Sequence, residues 1–246
     1  MSVTIVEVTK RSKQGRTQPY ICRGDDGETY FVKGRAATRV GLAAEWICAR
    51  LGERFGLSIA PYEIAVVPEI LVESDATGWL ADLGFGPVFA SRRVEAVEFT
   101  EAHRDQLPGD RCADVAVFDW WVRNADRTLT VYGGNPNLLW NPTGDGSLVV
   151  IDHNLAFDPD FSETEFLDTH VFSDCMRQVL SDFVARRDYV TRLADALIAW
   201  GDICAMIPDP WRYIDSEMTT AADLPIDRMF RLLNRLHDES FWSVTP

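Results

Sequence analysis

The period of the apolar positions changes part-way along the chain. From Val3 to Val8 apolar and polar residues alternate, as a half-buried strand requires. Residues 11–18, RSKQGRTQ, are polar with one glycine and read as a turn, and Pro19 to Arg23 resumes the extended pattern. Asp25-Asp26-Gly27 is a hairpin turn, because Asp and Gly tolerate positive φ. Glu28 to Lys33, ETYFVK, is a strand with Tyr30 and Val32 on one face and Phe31 and Lys33 on the other. From Gly41 to Phe55 the period becomes helical, with Leu42, Trp46, Ala49, Leu51 and Phe55 as the apolar stripe and Gly56 as the stop. Strands are expected again at Ile64–Val67, Ile70–Val72 and Val88–Val94, with residues 78–86 as a loop.

After about residue 98 the pattern is mostly helical. Arg111 to Val122 reads as a helix, and residues 124–136 read as a loop rich in turn formers. Asn137–Trp140 and Ser147–Ile151 read as two short strands around an NPTGDG turn. Three helical stripes follow: Phe172, Met176, Val179, Leu180 and Phe183; then Leu193, Leu197, Trp200 and Ile203; then Met229, Leu232, Leu233 and Leu236. The expected fold class is α+β, with a strand-rich part over residues 1–95 and a helical part over 96–246. No internal repeat or low-complexity tract is visible.

Composition narrows the picture. At 246 residues and 46% hydrophobic, the chain can bury a proper core. No apolar run is long enough to span a membrane. The N-terminal basic residues follow the first apolar stretch, the reverse of a secretory signal, so a cytoplasmic protein is expected. Five scattered cysteines without a CxxC pair disfavour a disulfide framework or a structural zinc, and fit reduced thiols. A net charge of -14 disfavours general binding to nucleic acid backbones.

Four features carry chemistry. Lys33 ends a strand from which an amine can meet phosphates; alone it reads as an exposed strand lysine. Glu45 lies in the next helix and is placed to hold that lysine in an ion pair; alone it reads as a solvated glutamate. Asp126 stands on a loop before Asn137, and transfer of a phosphoryl group to a hydroxyl needs a carboxylate base and oxygen ligands for magnesium. The plain reading of that loop is a set of turn-forming Asn and Asp. Asp152 ends the apolar run LVVI, where a buried carboxylate needs a cation partner unless it caps the next turn. Together, Lys33, Glu45, Asp126, Asn137 and Asp152 form an ordered set.

The segments NADRT, NPNLLW and VIDHNLAF, with QGRTQPYICRGDDGETYFVK and LAAEWICARLGERFGLSIAPYEIAVV before them, resemble the HipA-like kinases. That group is related to the HipA toxin kinase and more distantly to phosphoinositide kinases. The resemblance spans about residues 11 to 160. It implies a two-lobed protein-kinase-like fold and an ATP-dependent kinase using Mg2+, acting on a protein Ser or Thr or on itself. A small-molecule or lipid kinase and a non-catalytic nucleotide-binding module are the other readings. The resemblance further implies that Lys33 binds phosphate with Glu45 behind it, that Asp126 is the catalytic base, and that Asn137 and Asp152 hold magnesium. Gly15, Arg16, Thr17 and Gln18 would cover the phosphates, and the connector containing Arg92, Val94 and Glu95 would contact adenine. Three departures stand out: GxGxxG is absent, Asn137 stands eleven positions after Asp126, and Asp152-His153-Asn154 replaces DFG. Asn135 therefore competes with Asn137 as a ligand, and His153 either shapes its turn or touches phosphate. His103, His170 and His237 are too scattered for a metal triad and read as surface or satisfied core residues.

Overall fold

The computed structural model describes residues 2–12, 18–130, 133–142 and 148–243. The elements run β1 (Ile5–Arg11), β2 (Tyr20–Gly24), β3 (Thr29–Lys33), α1 (Thr38–Phe55), β4 (Tyr62–Val67), α2 (Glu69–Glu73), β5 (Gly86–Arg92), β6 (Val97–Glu98), α3 (Glu101–Arg104) and α4 (Gly109–Val122). There follow β7 (Thr128–Thr130), β8 (Gly133–Asn135), β9 (Leu138–Trp140), β10 (Leu148–Val150), α5 (Glu163–Thr169), α6 (Ser173–Ser181), α7 (Phe183–Leu197), α8 (Trp200–Ala205) and α9 (Ile226–Asn234). The class is α+β, with antiparallel strands first and helices dominating afterwards. No helix among the described residues is long and apolar enough to cross a membrane.

The chain divides into two compact units. The first comprises Met1–Trp46, Ala60–Glu95 and Met206–Leu224. Its five-stranded antiparallel sheet has the order β1-β2-β3-β5-β4. The β2–β3 hairpin closes where expected, with Gly27 at φ 85° and its N–H on the Gly24 oxygen at 3.0 Å. Tyr30 and Val32 sink into the core with Ile5, Ala65 and Ala90. Lys33 lies on the other face and is nonetheless buried. Ile70–Val72, expected as a strand, instead belongs to α2: Pro68 sits at its N-cap and Glu69 in its first turn. Three apolar residues are too few to separate a period of two from one of 3.6.

The second unit comprises Ile47–Ile59, Ala96–Ala205 and Pro225–Pro246. Gly56, at φ 105°, ends α1, and the N–H groups of Gly56 and Leu57 both bond the Gly52 oxygen, at 3.0 and 2.8 Å. α4 is the buried axis of this unit. Its indoles donate to distant main chain, Trp120 to the Phe241 oxygen at 2.9 Å and Trp121 to the Leu233 oxygen at 2.8 Å. β9 and β10 pair as expected, and β6 adds a third strand at the β9 edge.

Three further expectations are corrected here. Residues 124–136 are not all loop: Thr128–Thr130 pairs with Gly133–Asn135 as a small hairpin. Its glycines hide it from propensity, yet a Cβ on Gly134 would lie 2.3 Å from the Thr128 oxygen, so only glycine fits. Phe183 does not continue the α6 stripe. Asp182 starts a new helix there, accepting from the N–H groups of Val184 and Ala185 at 2.8 and 3.2 Å, and Phe183 is 71% exposed. The apolar run from Leu193 to Ile203 likewise spans two helices, α7 and α8.

Candidate active site

In the first unit, Lys33 Nζ donates to Glu45 Oε1 in a buried ion pair. β3 delivers the lysine at its last position, and α1 presents the glutamate on a buried turn. A pair taken out of water carries a large desolvation penalty, so its retention calls for a further reason. A small pocket opens beside Lys33, bounded by Gln18, Tyr20, Val32, Gly34 and Asp82. Arg11 ties its rim by donating from Nε to the Gln18 oxygen at 3.1 Å and from Nη1 to Asp82 Oδ2 at 2.8 Å. Gly34 is forced at this place, because a Cβ there would lie 2.0 Å from the Leu83 oxygen. Gly15, Arg16 and Thr17 lie outside the described residues. Arg92 ends β5, opposite Tyr30, while Val94 and Glu95 lie just beyond that strand.

In the second unit, the end of α4 sets the remaining candidates in place. Arg123 takes φ 53° and turns the chain out of the helix, and the Asn124 N–H bonds back to the Asp119 oxygen at 2.8 Å. Asp126 follows, half-exposed. Its Oδ2 accepts from the side-chain amides of Asn137 at 3.0 Å and Asn135 at 3.3 Å. With its NH2 turned toward Asp126, Asn137 keeps its amide oxygen for another partner.

Asp152 comes beside Asn137 through the β9–β10 ladder. Leu138 faces Val150, and one step further the Ile151 N–H bonds the Asn137 oxygen at 3.2 Å. Both Asn137 and Asp152 adopt positive φ, 49° and 60°, a region that Asn and Asp enter more easily than most residues. An amide oxygen and a carboxylate are hard donors, suited to a magnesium ion that keeps several waters. The donor set therefore fits that metal.

Arg127, absent from the sequence-based set, joins these three positions. Its Nη1 donates to the main-chain oxygens of Asn137, of Pro136 at 3.2 Å and of Ile151 at 3.2 Å. Its Nε donates to Asp119 Oδ2, and the guanidinium is wholly buried. Asp119 also accepts from Asn124 at 2.9 Å and bonds His170 Nε2 at 3.0 Å. Burial alone would raise the Asp119 carboxyl, but Arg127 and His170 hold it well below the usual carboxylate range. Burial pushes His170 down, and the attraction of Asp119 offsets only part of that. His153 is buried too, with Nε2 3.2 Å from Arg127 Nη2. One signal in the sequence pointed here: Asp119 stands inside the apolar run VFDWWV, where an acid needs a partner.

A family model described as HipA-like kinase matches residues 5–245. No curated protein gives a match. Among solved structures, the crystal structure of a Helicobacter pylori proinflammatory kinase, CtkA, is similar at 12% identity and a TM-score of 0.42, covering 98% of this chain and 95% of that one.

Proposed function

Since this chain belongs to the HipA-like kinase family, we propose that it transfers the γ-phosphoryl group of ATP to a protein Ser or Thr hydroxyl, its own included. The observation that carries the reading is the Asp126 carboxylate, half-exposed and oriented by the amides of Asn135 and Asn137. A carboxylate so held can orient an incoming hydroxyl and accept its proton as the phosphorus–oxygen bond forms. Transfer of this kind depends on positioning and charge compensation more than on covalent chemistry.

Asn137 and Asp152 would hold magnesium, which supplies charge compensation to the phosphates when bound. Lys33, kept in place by Glu45, offers a fixed positive charge to phosphate oxygens. Gln18, on the rim of the pocket beside Lys33, supports a role for that segment in phosphate binding. Arg92, Val94 and Glu95 are proposed to meet adenine. Arg127 touches no reacting atom in this scheme: it positions Asp126, Asn137 and Asp152 through the main chain. With a net charge of -14 the chain gives an anionic lipid headgroup little attraction, which favours a protein acceptor.

The test is incubation of the purified protein with Mg-ATP and a generic Ser/Thr protein substrate, followed by intact mass of both. A phosphoryl-sized gain on either supports the reading. A gain the size of AMP replaces it with nucleotidyl transfer, and no gain on either contradicts it.

A further inference from the structure

Two arginines share the C-terminal end of α4. Arg123, the left-handed residue that closes the helix, bonds the Trp120 oxygen through its N–H at 3.4 Å. Arg235, just after α9, donates from Nη2 to that same oxygen at 3.0 Å and to the Trp121 oxygen at 3.4 Å. Aromatic rings line both side chains. The Arg123 guanidinium carbon lies 5.9 Å from the centre of the Phe161 ring, and Phe161 meets Trp120 at 5.7 Å. Arg235 lies 5.1 Å over Phe241, whose main-chain oxygen takes the Trp120 indole. Both arginines are half-buried, and all of these residues belong to the second unit.

The charge at this place is not balanced. Two other arginines of the unit have their own carboxylates, Arg127 with Asp119 and Arg192 with Asp114 at 2.7 Å. Among the described residues, no ion pair joins Arg123 or Arg235 to a carboxylate. Arg123 Nε is buried without a hydrogen-bond partner among them, and orphaned buried donors are rare. The end of α4 supplies roughly half a negative charge, less than the two cations beside it. Arg235 registers the crowding: burial and then the Arg123 charge bring it down to about 10, with Glu163 and Asp238 pulling the other way.

Arg235 Nη1 and both Arg123 Nη groups bond nothing among the described residues. Guanidinium groups so placed suit an anion with several acceptor oxygens. Two cations call for a dianion, and a phosphate monoester carries a charge of about −1.5 to −2 at neutral pH. We propose that Arg123 and Arg235 form a binding site for a phosphate monoester carried on a Ser or Thr side chain of a protein acceptor.

The site adjoins the catalytic loop. Three positions, at most about 11 Å of chain, separate Arg123 from Asp126. A phosphorylated residue held there would leave a hydroxyl a few positions along the same peptide within reach of Asp126. Acceptors already phosphorylated nearby would then be preferred. That use rests on the proposed transfer at Asp126; the binding does not.

The test uses the full chain without nucleotide or magnesium. A fluorescein-labelled phosphoserine peptide and its unphosphorylated twin are titrated by fluorescence anisotropy, and inorganic phosphate is titrated separately by thermal shift. Expected is binding of the phosphopeptide at least roughly tenfold tighter than of its twin. Arg123→Ala should remove most of that preference, with folding verified by the thermal midpoint. Arg123→Lys should restore part of it, because an ammonium keeps the charge but not the fork. Arg235 also holds the end of α4, so Arg123 carries the decisive substitution. A saturating non-hydrolysable ATP analogue with magnesium should leave the phosphopeptide bound, which separates this site from the pocket beside Lys33. The proposal is overturned if the two peptides bind equally, if Arg123→Ala keeps the preference, or if the ATP analogue displaces the phosphopeptide. It is overturned too if inorganic phosphate binds and the phosphopeptide does not, which would mean an adventitious ion only. Absence of phosphoryl transfer with this binding intact would count against the reading of Asp126 and leave the present one supported.

Discussion

Arg127 and Asp119 form a fully buried ion pair eight positions apart. The pair joins the end of a helix to a loop and to the mouth of a hairpin. The same guanidinium satisfies main-chain oxygens of Asn137, itself a proposed metal ligand, and of Ile151, the residue before the other. Removing one member of a buried pair leaves the other charge unpaired. Arg127→Ala should therefore destabilise the fold by about 3–5 kcal/mol, read as a lowered urea midpoint. A loss below about 1 kcal/mol, the scale of an exposed pair, would mean the network does not hold the loop.

The network also sets a pH dependence. His170 has its folded pKa lowered by burial, so below its ordinary value of about 6.5 the unfolded chain takes a proton that the native chain refuses. Stability from this source is complete above about 6.5 and falls as pH drops toward the folded value, with a slope of at most about 1.4 kcal/mol per pH unit. Asp119 has its folded pKa depressed as well, so its contribution holds above about 3.9 and is lost only below that. Denaturation midpoints between pH 7 and 5 should fall in the wild type and flatten in His170→Gln. An equal slope in both would remove His170 from the account.

Gly34 makes a prediction independent of charge. A Cβ there would press on the Leu83 oxygen, part of a contact that also takes the Arg35 N–H at 2.9 Å. Main chain cannot swing aside as a side-chain tip can. Gly34→Ala should cost about 1–3 kcal/mol, the range for overpacking, and should weaken nucleotide binding because Gly34 adjoins Lys33. Calorimetry of folding and of nucleotide titration reads both effects, and an unchanged thermal midpoint would show that the contact yields.

Much of the candidate site was legible because its residues sit at the ends of regular elements or inside a periodic one. Lys33 closes an alternating strand, Glu45 lies inside a periodic helix, and Asp152 ends an apolar run. The partners of Arg127, His153 and His170 were not legible, since they come from contacts between separate elements that leave no period. The β7–β8 hairpin hid behind glycines that mimic a loop, and α2 behind three apolar residues that suit either period. Asp119 is intermediate: an acid amid VFDWWV signals a buried partner but does not say which.

Asn135 and Asn137 both reach Asp126, and the ladder separates them. Only Asn137 has its main chain bonded to the residue before Asp152, and only it is buried. Asn137→Ala should lose most magnesium-dependent nucleotide binding, whereas Asn135→Ala should keep it and lower transfer by less than about tenfold, below the usual range for removing an acid–base group. Titration of Mg2+ at fixed ATP, followed by intrinsic tryptophan fluorescence, distinguishes the two. Equal losses would assign the metal to both amides.

The central claim is a division of labour between two carboxylates, base at Asp126 and metal ligand at Asp152. The most direct measurement compares Asp126→Ala and Asp152→Ala for magnesium-dependent stabilisation by ATP and for phosphoryl gain by intact mass. The account predicts that Asp126→Ala retains the thermal shift and loses transfer by roughly a hundredfold or more, while Asp152→Ala loses both. Full metal-dependent stabilisation in Asp152→Ala, or undiminished transfer in Asp126→Ala, would contradict it.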